Sequence, residues 1–421
     1  MTVTVIGAGL AGVEAAHILS RNGFHVKLYE MKPKKYSTAH NHAGFAELVC
    51  SNSLKANRLS TASGLLKMEM RLFNSLTLQV AELTKVPAGG ALAVDRTVFS
   101  DEITRRISAD PNIEVICEEI TEFPKSNAII ATGPLTSDDF AMSIKQKCGG
   151  FLSFYDAAAP VVTYESIDMD KAFFASRYNK GDPDYINCPM TREEYQVFYN
   201  ALVTAETADL HEIDKLTVYE GCMPVEVLAK RGIDSVRYGC MKPVGLVDSR
   251  NGIRPYAVVQ LRKENAQGSM YNLVGFQTNL KFGEQQRVFQ LIPGLEKAEF
   301  VRYGVMHRNT FINSPRLLDN NFMLKGSDNI YFAGQITGVE GYMESAASGI
   351  VAGMSFVKRI KLPPTTILGA LSNYISTPND NFQPMGANMG LLPPLETTIK
   401  NKQERYEKMA HRALEDLRRI V

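Results

Sequence analysis

The first thirty residues constrain this chain more than any other stretch. Residues 2–6 have strand character and pass into Gly-Ala-Gly-Leu-Ala-Gly at 7–12, after which 13–21 show helical spacing of apolar side chains. Gly23 marks a helix stop, and 25–30 read as a second strand ending in Glu30. Strand, glycine turn, helix and strand with a terminal acid make up a dinucleotide-binding βαβ unit. The glycines Gly7, Gly9 and Gly12 allow a tight turn, close backbone approach to a pyrophosphate and close helix-to-strand packing. Ala8, Leu10 and Ala11 complete the loop, and Glu30 is placed to hold ribose hydroxyls. S-adenosylmethionine sites also combine a glycine loop with a strand-end acid. Here the first strand carries no acid before the glycines and begins at residue 2, which favours a dinucleotide.

The rest of the chain sets the frame for that unit. Its 421 residues, 45% apolar and 22% charged, can bury one large or two medium cores. Lys plus Arg number 46 and Asp plus Glu 45, so bulk charge excludes a histone-like grip on nucleic acid but leaves room for a local basic patch. No 18-residue stretch is apolar enough to span a bilayer, and Glu14 interrupts the early small-residue run. The expectation is a soluble, cytoplasmic protein with no membrane association. Six cysteines without a C-x-x-C pair argue against a zinc ribbon or disulfide scaffold, and His40, His42 and Cys50 lack a closely spaced fourth ligand. No metal is expected.

Residues 33–63 form a long polar stretch, more than an idle connector requires. Helical spacing over 65–83 and 97–107 and short strands at 113–117 and 128–131 follow. From about 150 to 325, short apolar segments alternate with Pro, Gly and Asn breaks, with a helix expected at 193–207. The α/β texture returns with a strand at 329–333 and a small-residue helix at 342–359. These changes divide the chain into a first part of an α/β domain at 1–150, an inserted mixed α+β domain at 151–325, and the second part of the α/β domain at 326–421. The last stretch, with Tyr406, Met409, Ala413, Leu417 and Ile420, reads as an amphipathic helix packed on the core.

Two further segments bear on the nucleotide. Asn-Ala-Ile-Ile-Ala-Thr-Gly at 127–133, ending in Gly133, is similar to the strand and turn that pass near FAD in many flavoproteins. The run 332–349, with Gly334, Gly338 and Tyr342, is similar to their late glycine-rich motif, in which a helix N-terminus faces the flavin. No second strand, glycine turn and helix unit occurs, so NADPH or NADH would visit the flavin and leave. Cys50 in ELVCSNSLK and Cys222 in YEGCMPVEV sit in breaks of regular structure beside polar groups. A thiolate is the nucleophile that adds to C6 of a pyrimidine and activates C5. Cys117, Cys148, Cys188 and Cys240 read as small buried hydrophobes. His307, alone, reads as a satisfied core histidine.

These segments, with ALAVDR, DYINCPMTREEY, MKPVGLVD, EFVRYGVMHRNTFINSP and NMGLLPPLE, resemble the folate- and FAD-dependent tRNA (uracil-5-)-methyltransferase family, TrmFO, from residue 3 to 396. The related MnmG (GidA) flavoproteins share the FAD domain but are longer. The resemblance implies a glutathione-reductase-like FAD-binding Rossmann domain, discontinuous around the inserted domain. It also implies methylation of C5 of uridine 54 in the tRNA T loop, with 5,10-methylenetetrahydrofolate as carbon donor and reduced FAD as reductant. Cys50 and Cys222 match the two functional cysteines of the family, either of them the thiol that attacks uracil, with Cys222 favoured. His307 then matches a folate-pocket histidine, Gly7 to Gly12 and Glu30 hold the adenosine and pyrophosphate end of FAD, and Gly133, Gly334, Gly338 and Tyr342 lie near the flavin. The same chemistry on 23S ribosomal RNA, or a small-molecule flavin oxidoreductase, are the competing expectations. No stable protein partner is expected. If RNA is the substrate, the near cancellation of charge must hide basic groups gathered at the cleft, for which Lys32, Lys34, Lys35, Arg287, Arg302, Arg308 and the C-terminal helix are candidates.

Overall fold

The computed structural model describes residues 1–208 and 223–421. Five parallel strands form the first sheet in the order Ile330–Phe332, Ala128–Ile130, Thr2–Ile6, His25–Tyr29, Ile113–Ile116. Val3, Val5, Val26, Leu28 and Ala128 to Ile130 are fully enclosed, as strands covered by helices on both faces require. Helix Leu10–Arg21 packs against helix Tyr342–Val357, and small residues set how closely. A Cβ on Gly349 would overlap the Ala11 backbone, and one on Gly353 would stand 3.1 Å from the Ile18 Cβ. The chain leaves this sheet after Ile130 and returns to it at Ile330, so its two ends share one core.

The expected helix at 65–83 is two helices, Ala62–Leu72 and Leu76–Leu83. Periodicity alone could not show the break, because its cause lies at Glu14. That carboxylate is fully buried under the turn and accepts from the Thr77 N–H (2.9 Å), the Leu76 N–H (3.2 Å) and the Ser75 hydroxyl, while Asn74 takes a left-handed φ of 58°. Burial pushes the Glu14 carboxyl above its ordinary range, and these donors pull it back.

The second sheet is antiparallel, in the order Phe173–Ala175, Tyr185–Met190, Ala257–Lys263, Met270–Leu273, Val161–Thr163, Phe300–Arg302. Helix Arg192–Thr204 begins in a Thr191/Glu194 capping box and buries Tyr195, Phe198 and Leu202 in a separate core with that sheet. A two-stranded ribbon, Leu152–Ala157 with Met306–Phe311, carries the chain between the two cores. The C-terminal helix, Lys402–Arg418, buries Met409, Ala410, Ala413, Leu414 and Leu417 along one stripe, and Asn401 caps its start. Among the described residues no helix is long and apolar enough to cross a membrane.

Candidate functional site

An open cleft lies at the ends of strands Thr2–Ile6, His25–Tyr29, Ala128–Ile130 and Ile330–Phe332 of the parallel sheet. Gly7, with φ 96°, packs so tightly on the 128–133 strand and turn that a Cβ would stand 2.7 Å from the Ala131 carbonyl oxygen. A Cβ on Gly12 would overlap the Gly7 carbonyl oxygen. Gly9, at the helix N-cap, has open space where a side chain would be. The helix N-terminus therefore faces the cleft bare, as a pyrophosphate requires. Glu30 lines the cleft and accepts from the Ala8 N–H (2.9 Å) and the Lys32 N–H (3.1 Å), which leaves carboxylate lone pairs for ribose hydroxyls. Ala8, Leu10, Ala11, Gly133, Gly334 and Tyr342 also line it. These residues fit an FAD-sized dinucleotide. Gly338 does not reach the cleft lining: with φ 85° it lies under the Phe382 ring, which a Cβ would meet at 2.5 Å, so packing accounts for that glycine.

Cys50 is not part of the cleft lining but adjoins it, next in sequence to Val49 and hydrogen-bonded to Tyr342, both of which line it. The Tyr342 hydroxyl, at the start of helix Tyr342–Val357, accepts from the Cys50 N–H (2.9 Å) and the Ser51 N–H (3.2 Å) and lies 2.9 Å from Cys50 Sγ. With both acceptor positions taken by amides, its own proton is left for the sulfur. Burial, with Cys50 beside it, holds the Tyr342 phenol well above its ordinary value of 10, so it stays protonated. Side chains from both cores grip the segment around Cys50. Arg96 donates to the Leu48 carbonyl (2.9 Å) and pairs with Glu264, and Arg302 donates to the Val49 carbonyl (3.4 Å). Arg262 donates to Ser51 Oγ (2.9 Å) and Asn52 Oδ1 (3.0 Å), and Asn52 Nδ2 returns a bond to the Lys263 carbonyl (2.8 Å). Burial and the neighbouring Arg302 bring Arg96 down to about 9. The buried Glu264 carboxylate stands between the two guanidinium groups and holds them together.

A family model described as "Glucose inhibited division protein A" matches residues 2–362. "Methylenetetrahydrofolate--tRNA-(uracil-5-)-methyltransferase TrmFO" of Acetivibrio thermocellus is 59% identical, with 100% of this chain and 98% of the relative covered. The protein of the same name from Desulfitobacterium hafniense is 57% identical over 99% and 97%. The chain belongs to the TrmFO family. Aquifex aeolicus GidA, in its form II crystal, has the same fold with a TM-score of 0.71 at 15% identity, over 99% of this chain and 73% of that one.

For a TrmFO chain, the placement of the remaining sequence-derived residues is uneven. Cys222 lies outside the described residues. His307 lies on strand Met306–Phe311, opposite Asp156, and its side chain, like that of Arg308, lies outside what is described. That strand runs past the cleft, since Thr310 Oγ1 donates to the carbonyl of Pro134, a lining residue (3.1 Å). His40 and His42 do not converge on Cys50: His40 bonds the Ser37 hydroxyl (2.6 Å) and His42 bonds Asp101 (2.8 Å). Of the cysteines read as buried, Cys188 is enclosed, whereas Cys117, Cys148 and Cys240 are partly exposed.

The expected basic rim is corrected by its ion pairs. Lys32 is buried, donating to the carbonyls of Gly44 (2.5 Å) and His42 (3.0 Å) beside Glu47. Lys34 pairs with Glu118, Lys35 with Glu119 and Arg287 with Glu284, while Arg302 faces Glu264. Lys32, Lys34, Lys35 and Arg287 are thus paired with acids to which the sequence alone assigns no role, and Arg302 shares Glu264 with Arg96. Arg96, Arg262 and Glu264 also escape a reading of the sequence. Arg96 sits in the ALAVDR segment, but nothing local distinguishes its guanidinium from a surface one.

Proposed function

We propose that this chain methylates C5 of a uracil in tRNA, uridine 54 of the T loop, taking the carbon from 5,10-methylenetetrahydrofolate, with FAD in the glycine cleft and NADPH or NADH as the source of electrons. The observation that carries this reading is the Cys50 thiol, hydrogen-bonded to Tyr342 of the cleft lining, beside a dinucleotide cleft in a TrmFO-family chain. The division at 1–150, 151–325 and 326–421 and a cytoplasmic location belong to the same proposal.

Bound in the cleft, FAD would supply the electrons that bring the one-carbon unit to the methyl level. The protein has the remaining tasks. Uracil C5 is a poor nucleophile until C6 carries a thiolate, so a cysteine sulfur must add at C6 and leave again once the C5 proton has been removed. Cys222 and Cys50 divide addition and proton removal between them. Tyr342, kept protonated by burial, steadies the Cys50 sulfur, and Arg96, Arg262 and Arg302 fix the backbone that carries it. Because a uridine in a folded loop is stacked, the base must be extruded before either sulfur can reach C6.

The test supplies methylene-labelled 5,10-methylenetetrahydrofolate and NADPH with unmodified transcripts of tRNA and 23S ribosomal RNA in separate reactions. Label in 5-methyluridine of tRNA is expected. Label confined to ribosomal RNA, or methylation from S-adenosylmethionine alone, would overturn the reading.

A further inference from the structure

With the lysines beside the cleft paired to acids and Arg96 and Arg302 engaged with Glu264 and the 48–49 backbone, an RNA substrate needs positive charge elsewhere, and the outer edge of the antiparallel sheet carries it. The segments 174–184 and 237–254 contain six Lys or Arg (177, 180, 237, 242, 250, 254) against three Asp (182, 184, 248), an excess of three in a chain whose total is +1. The two segments interlock. The Tyr178 N–H donates to the Gly245 carbonyl (2.7 Å), and the Arg177 guanidinium donates to the carbonyls of Lys242 (2.7 Å) and Val244 (2.8 Å). Lys180, Lys242 and Arg254 are exposed and form no ion pair with any described residue.

Tyr178 marks this edge as more than a charged surface. It is 61% exposed, yet its backbone is left-handed at φ 60°, followed by Asn179 at φ 49°. A bulky residue seldom adopts that conformation and is held there against a cost. Its ring lies on Gly245, where a Cβ would stand 2.9–3.0 Å from three ring atoms. Tyr238, 68% exposed, lies nearby in sequence with the Arg237 guanidinium 5.4 Å from its ring centroid. Exposed aromatic rings among unpaired cations match RNA, with phosphates for the charges and bases for the rings.

We propose that this edge docks the substrate RNA, with Lys180, Lys242 and Arg254 on backbone phosphates and Tyr178 stacked on an unpaired base. The proposal rests on the reading of the chain as an RNA methyltransferase. Geometry supports it. Arg262, which reaches Ser51 and Asn52 beside Cys50, is on strand Ala257–Lys263, and strand Phe173–Ala175 lies two places away in the same sheet. At the ~4.8 Å strand spacing that is on the order of 10 Å, so one stem-loop spans both.

Binding of an unmodified tRNA transcript to the flavin-loaded enzyme, titrated across salt concentrations, tests the surface. K180A/K242A/R254A is expected to bind about 30-fold more weakly at low salt. Its log–log salt slope should be shallower by about 2, at roughly 0.7–0.9 for each phosphate no longer neutralised. Tyr178→Ala should bind about 10-fold more weakly and Tyr178→Phe as the wild type does. Tyr178→Gly, which suits the left-handed backbone, should be as weak as the alanine variant, separating stacking from folding. Flavin content should be unchanged throughout. Wild-type affinity and slope in the triple variant would overturn the surface. In parallel, methylation of the same transcript by the wild type reports on the function itself. If the wild type binds and methylates while the variants match it, only the surface fails; if it neither binds nor methylates, the functional reading fails and takes the surface with it.

Discussion

The glycine cleft and the Cys50 seam adjoin each other but are built in different ways. The cleft wall leans on backbone at Gly7 to Gly12, 131–133 and Gly334, where Gly7 and Gly12 let strand, turn and helix pack closely and Gly9 and Gly133 leave open space. The seam is made of side chains at 96, 262, 264, 302 and 342, drawn from both cores and closed by ion pairs and hydrogen bonds around 48–52. A site made of backbone tolerates almost no added atoms, whereas a site made of side chains fails when a partner is removed. The two should therefore break differently.

The largest effect is expected in the cleft. Gly12→Val puts a branched side chain where a single Cβ already overlaps the Gly7 carbonyl, and overpacking of this kind costs about 1–3 kcal/mol or more. The purified variant should carry no flavin, which its visible absorbance reports. At the seam, Arg96→Ala leaves Glu264 buried with only Arg302 at 3.7 Å, at a cost of about 3 kcal/mol. It should lower the melting temperature while the flavin stays bound. Loss of flavin in that variant would show that the two regions are one unit. Tyr342→Phe takes the acceptor from two amides and the donor from the sulfur, and should reduce methyl transfer about 100-fold with flavin content unchanged.

This contrast also explains what the sequence could show. The parallel sheet, its helices and the glycine cleft were legible because contiguous residues build each piece: apolar alternation, a helix stop at Gly23, an acid at Glu30. The break at 73–75 was not, because Glu14 imposes it from another helix. The seam was half legible. Cys50 and Tyr342 stood out by chemistry and position, but their approach to 2.9 Å joins residues 292 apart in sequence. The basic residues misled for the same reason. Lys32, Lys35 and Arg287 are conspicuous in the sequence, and their neutralising acids become visible only once the chain is folded.

The smallest effect on methyl transfer concerns a buried carboxylate outside both regions. Glu69, fully buried, accepts from the Ile367 N–H (2.8 Å) and Leu368 N–H (2.9 Å) at the start of helix Ile367–Ser376, and burial pushes it from its ordinary 4.5 to about 8. Between those values the unfolded chain has released a proton that the folded chain keeps, so this group's stabilisation, full below about 4.5, is lost as pH rises towards about 8. Glu69→Gln should flatten that slope in denaturation series across the window, and an unchanged slope would assign it to other groups. Lys67, lowered by burial to about 8, acts in the opposite direction above it, which confines the measurement to that window.

The most direct test of the central claim, that methyl transfer takes place where the Cys50 seam meets the flavin cleft, is label transfer from methylene-labelled folate to tRNA by Cys50→Ala. The account predicts a yellow protein absorbing near about 450 nm, with wild-type tRNA affinity and no label in 5-methyluridine. Transfer at the wild-type rate by the same yellow protein would contradict it.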